Sequence, residues 1–83
     1  MATTQEDIRG WLNNGKKMKA THVIVVCDTF DLEDYPVYVM PTDDVREKYA
    51  EFNGPNMQKV MEVYSLSKNI ENQLNAHRAF CLD

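Results

Sequence analysis

The run His22-Val23-Ile24-Val25-Val26-Cys27 decides the fold. Four consecutive β-branched residues with no polar alternation make a strand that must be covered on both faces rather than wetted on one. This run is the expected centre of a sheet, and the rest of the chain is read by asking what covers it.

Upstream, Thr3 or Thr4 followed three residues later by Glu6 or Asp7 is close to a capping box, and Ile8, Trp11 and Leu12 fall at i, i+3 and i+4. A helix over 4–14 follows. Asn13-Asn14-Gly15 supplies its stop, and Lys16 to Lys19 leads out as a basic connector. Downstream, Asp28 to Pro36 is polar, acidic and turn-forming, with Tyr35 expected to be exposed in it. Val37-Tyr38-Val39-Met40, between Pro36 and Pro41, predicts a second short strand near a sheet edge. The nine-residue connection between these strands is short for a parallel crossover and suits an antiparallel excursion.

Thr42 as N-cap and the spacing of Val45, Tyr49 and Phe52 predict a helix over 43–52, stopped by Asn53-Gly54-Pro55. Residues 57–66 carry two periods at once. Met57, Val60, Met61 and Tyr64 match a helical face, whereas Val60-Met61-Glu62-Val63-Tyr64 is strand-like. A strand over 58–65 is preferred, because the preceding helix would otherwise run directly into another. Ser67 then caps a helix that carries Ile70 and Leu74 on one face and ends near Ala76, and Ala79-Phe80-Cys81-Leu82 forms a short terminal strand. The order α-β-β-α-β-α-β describes a single α+β domain over 1–83, a three- to four-stranded mixed sheet packed with about three helices.

Composition sets bounds on function. A chain of 83 residues buries a little over ~60% of its unfolded surface, too little for a roomy enzyme cleft plus a complete core, so a homo-oligomer is expected. No apolar run approaches the roughly 20 residues of a membrane span, and no signal-peptide pattern is present, so a cytoplasmic protein is expected. Cys27 and Cys81 lie in apolar stretches and read as reduced, buried thiols. The net charge of -4 is segmented: residues 1–22 are basic on balance, residues 23–44 contain only acids, and the remainder balances. Direct nucleic-acid binding is disfavoured because a single short lysine cluster is a poor counterion-displacing face. The acidic middle has the charge to imitate a phosphate backbone toward a partner.

Chemical motifs are sparse. Asp28 and Asp31 follow an apolar strand, where open α/β sheets place phosphate or metal chemistry, but their spacing departs from the phosphatase pattern of two aspartates two residues apart. The same acids fail as a calcium loop, with Phe30 and Leu32 where oxygen ligands belong. A structural zinc site wants four N or S ligands and the chain offers only two His and two Cys in total, and Cys27 inside an apolar strand reads as packed rather than nucleophilic. No metal, cofactor or catalytic residue is expected. Trp11 completes an apolar helix stripe that belongs in the core or against a partner.

The stretch from Thr21 to Val39, with Val60-Met61-Glu62-Val63-Tyr64-Ser65-Leu66 and Asn72-Gln73-Leu74-Asn75-Ala76-His77-Arg78-Ala79-Phe80, resembles a group of short proteins encoded by tailed bacteriophages and prophages. The resemblance implies a counter-defence accessory protein acting in the host cytoplasm. It transfers no catalytic motif. The leading expectation is sequestration of a nucleotide-type immune messenger at an oligomer interface, with Tyr35 stacking on a base, Arg46, His77 and Arg78 meeting phosphate, and Thr29 or Asp31 reading a ribose or base edge. The alternative is an inhibitor that presents Glu33, Asp34 and neighbouring acids, with Trp11 also at the interface, to a host defence protein complex. A small metal-dependent enzyme using Asp28 and Asp31 is the third.

Overall fold

In a computed structural model, which describes residues 4–54 and 57–75, the run that begins at His22 becomes strand β1 (His22–Asp28) and lies in the middle of the sheet. Around it in chain order are α1 (Gln5–Lys17), β2 (Glu33–Val39), α2 (Val45–Phe52), β3 (Gln58–Ser65) and α3 (Ile70–Asn75). The strand order is β2-β1-β3. Both pairings are antiparallel, so the sheet of the described residues is not mixed as expected. β2 and β3 flank β1 and run parallel to each other, with α2 as the crossover between them. The expected strand at 79–82 lies outside the described residues.

None of Val23, Ile24, Val25 and Val26 is more than 1% exposed, which confirms two-sided cover. Val23 and Val25 join Ile8, Leu12, Tyr64 and Leu74 under α1 and α3. Ile24 and Val26 join Val39, Val60 and Val63, with Val45, Tyr49 and Phe52 of α2 packed over them. Each such side chain withdrawn from water contributes about 1.5–3 kcal/mol, so the run supplies a large share of the folding drive. The double period of residues 57–66 is explained by β3. Its pairing with β1 shifts register between Val25 and Val26, opposite Glu62 and Val60, and leaves Met61 as an extra residue. Val60 and Val63 face α2 while Met61 and Tyr64 face α1, so apolar residues are needed on both sides.

Four boundaries differ from the sequence reading for physical reasons. α1 runs through Gly15 to Lys17 instead of stopping at it, and the left-handed residue beyond the helix is Lys19, at φ 64°. Gly15 is needed for close approach: a Cβ there would stand 2.9 Å from Val23 Cγ2 and 3.0 Å from Leu66 Cδ1. β2 begins at Glu33, so Pro36 lies inside the strand opposite Val25 rather than before it. As an edge strand, β2 has an unpaired side on which a missing N–H removes no ladder bond. α2 is capped by Asp44, which accepts from Arg46 N at 2.9 Å, rather than by Thr42, while Asp43 accepts from Met40 N at 3.1 Å. α3 is opened by Asn69, whose side chain accepts from Asn72 N at 3.0 Å, and Ser67 instead hydrogen-bonds Ser65.

Helices α1 and α3 are clipped by Arg9 and Glu71, whose Nη2 to Oε1 distance is 3.1 Å. The hydrogen bond from Arg9 holds the Glu71 carboxyl below its usual range. Its contribution to stability is therefore present above the unfolded carboxyl value near ~4.3 and is lost as pH falls through the lower folded value. Arg9→Gln is expected to lower the denaturation midpoint at neutral pH, with the difference from wild type closing in that acid window. The glycines give a second test. Gly15→Ala is expected to destabilise by about 1–2 kcal/mol through overpacking, whereas Gly10→Ala, with nothing within 4 Å, is expected to stabilise by about 0.5–1 kcal/mol in urea denaturation.

Candidate functional site

The acidic stretch after β1 is not a long loop but a tight hairpin, because Asp28 closes it from within. Asp28 Oδ1 accepts from Phe30 N at 2.8 Å and Asp31 N at 3.3 Å, and its carbonyl accepts from Leu32 N at 2.7 Å. Leu32 takes the left-handed conformation at φ 57°, and Asp28 then pairs directly with Glu33. The turn is tied to the entry of β3: Thr29 donates both its N–H, at 2.8 Å, and its hydroxyl, at 2.7 Å, to the carbonyl of Met57. Local hydrogen bonding occupies Asp28 and Thr29, as an aspartate turn requires.

These bonds hold three large apolar side chains in water at one end of the sheet. Phe30 is 74% exposed, Leu32 65% and Met57 55%. Around them Asp31 and Glu33 are exposed and Asp28 and Asp34 half-buried, with Lys59 on β3 offsetting one charge. Exposed apolar groups rimmed by charge are the usual mark of a protein-binding surface rather than of a small-molecule pocket. The hairpin end is thus a knob: apolar at its tip, acidic at its shoulders and fixed by backbone bonds at its base.

The other expected ligand residues do not gather there. Tyr35 is not in an exposed loop; it sits half-buried on β2 opposite Val26, packs on the α2 side, and accepts a hydrogen bond from the Gln58 amide. Burial, followed by the charge of Asp28, pushes its phenol pKa up. Arg46 stands in the first turn of α2, next to the end of β2 that pairs with His22. Val39 and Tyr35 are four residues apart along β2, about 13 Å at the usual strand rise, so Arg46 lies at the opposite end from Thr29 and Asp31. His77 and Arg78 lie outside the described residues. Trp11 packs half-buried against the α1-side core, Glu33 is exposed at the start of β2, and Asp34 is half-buried opposite Cys27.

Sequence reading gave Phe30, Leu32 and Met57 no place among the site residues. The available signal was two bulky apolar residues inside an acidic turn, where no core position exists for them. It also missed a cleft of about 450 Å³ at the far end of β1, lined by Lys16, Ala20, Thr21, His22, Leu66 and Ser67. Among the described residues no group of three or more His, Cys, Asp or Glu is placed to hold a metal ion, and no helix is long and apolar enough to cross a membrane. No protein-family model, curated protein or solved structure matches the chain.

Cys27 bears on reactivity at this end. Desolvation, then a hydrogen bond to Asp34 and the charges of Asp34 and Asp28, push its thiol pKa up, against a smaller opposing effect of Lys59. Since the thiolate is the attacking form, this thiol is held in its unreactive state at neutral pH. In a Cys81→Ser background, Asp34→Asn is expected to speed reaction of Cys27 with a disulfide reagent, and an unchanged rate would show that Asp34 does not control it.

Proposed function

We propose that this is a non-catalytic binding protein that docks its acidic, apolar-tipped hairpin end onto a basic surface of a partner protein. One observation carries the reading: Phe30, Leu32 and Met57 stand exposed together, fixed by hydrogen bonds, amid Asp31, Glu33 and Asp34. A tip that is ordered before binding loses little conformational entropy on docking, and its carboxylates speed encounter with a positive surface. With the resemblance to short phage-encoded proteins, the partner class is a host defence protein complex, which the knob would obstruct.

A second reading, sequestration of a nucleotide-type messenger between copies of the chain, has its own supporting observation. Thr29, Asp31 and Tyr35 share one end of the sheet and Arg46 the other, so two copies are needed to join a phosphate-binding arginine to the acidic and aromatic end. Native mass spectrometry after incubation with a nucleotide-rich extract separates the two readings, since only sequestration leaves an extra mass of a few hundred daltons.

For the leading reading, the test is capture of a host partner by wild type, by Phe30→Asp, and by a variant in which Asp31, Glu33 and Asp34 carry the corresponding amides. Wild type is expected to retain the partner at low salt and release it near ~0.5 M, with at least about tenfold weaker capture by either variant. Retention by the neutralised variant at every salt concentration would contradict it.

A further inference from the structure

The two ends of β1 are complementary to each other. At the Asp28 end stands the knob just described. At the His22 end, about 20 Å away along the strand, lies the 450 Å³ cleft between the end of α1 and the turn that leads from β3 to α3. Its apolar lining comes from Ala20 and Leu66, its polar lining from Thr21, His22 and Ser67, and Lys16 stands at its rim. Lys17 and Lys19 follow Lys16 in the chain, both exposed, and Lys68, which adjoins Ser67, shares the neighbouring depression with Lys16. None of these four lysines is in an ion pair among the described residues, and no carboxylate lines the cleft. Glu71, the acid nearest to Lys68 in the chain, lines that adjoining depression with Lys16 and Lys68 and is paired with Arg9, while Asp43, Asp44 and Glu47 line a separate depression with α2, on the opposite side of the sheet from α1.

We infer that the hairpin end of one copy docks head to tail into this cleft of a second copy. Phe30 and Leu32 enter against Ala20 and Leu66, and Asp31 between them meets Lys16 and Lys68. An apolar knob with acidic shoulders thus meets an apolar-lined cleft with a basic rim, which satisfies hydrophobic contact and charge together. The inference rests on the reading of the hairpin end as a docking surface and names its partner as the chain itself. Because the two surfaces differ, the contact is heterologous, and each copy keeps one unused end, so assembly continues along the β1 axis into a row or closes into a ring. The same knob then serves either a neighbouring copy or a basic partner, and the partner must displace the copy.

The test uses the full chain in sedimentation velocity. Wild type is expected to exceed its 9.6 kDa monomer mass as concentration rises and to return toward monomer near ~0.5 M salt. Phe30→Asp, with a spoiled knob, and the double variant Lys16→Glu, Lys68→Glu, with a spoiled cleft, are each expected to stay monomeric alone. Mixed, they retain one good knob and one good cleft and are expected to form a one-to-one dimer that grows no further. That rescue also shows both variants to be folded. Monomeric wild type at millimolar concentration would overturn the inference, as would variants that assemble like wild type or a mixture that stays monomeric. If wild type is monomeric while Phe30→Asp loses a basic partner, self-docking alone fails. If wild type assembles as described and no partner depends on Phe30, the reading of a host partner alone fails.

Discussion

Everything in this protein follows from the need to cover one strand twice. Val23, Ile24, Val25 and Val26 project alternately to the two sides of the sheet, and none has access to water. A chain of this length has few elements with which to meet that demand. It places α1 and α3 on one side, α2 on the other, and a neighbour on each edge of β1. The bulge at Met61 belongs to the same solution, since a strictly alternating β3 would leave two of its four apolar residues on the wrong side. Gly15 belongs to it too: only without a Cβ can α1 come down onto Val23.

The ends of β1 are where this demand ceases and other chemistry takes over. Once all deep positions are taken, Phe30, Leu32 and Met57 have no core to enter. The turn that carries them is nonetheless ordered, by the Asp28 carboxylate and by two bonds from Thr29 to the Met57 carbonyl. Carboxylates stand beside the hairpin and Lys16 lines the cleft at the start of β1, with Asp43 and Asp44 on the α2 side of that same end. Polarity along the strand axis, rather than a pocket with convergent polar groups, is the feature on which the functional account stands.

The element order and the central strand were legible because they depend on period and on β-branched runs, which one sequence displays. β3 was legible over Gln58–Ser65 for the same reason, despite its helical alternative. Boundaries set by tertiary contact were not. Gly15 looks like a helix stop and acts as a packing contact, and Pro36 looks like a strand boundary and sits within an edge strand. The candidate site divided likewise. Turn chemistry at Asp28 was readable, but the shortness of the hairpin was not, and that shortness moved Tyr35 from an exposed loop onto the α2-side core. The cleft joins residues from Lys16 to Ser67 that share no spacing, so no pattern in the chain announces it.

The central claim is that the two ends of β1 are the working surfaces and that its flanks are not. Its most direct test is the amide spectrum of isotopically labelled protein recorded as concentration is raised at low salt. The account predicts shifts in two separate groups, Thr29 to Leu32 with Met57 at one end and Lys16 to His22 with Leu66 to Lys68 at the other. Shifts that instead follow the outer edges of β2 and β3, or a spectrum indifferent to concentration, would contradict it.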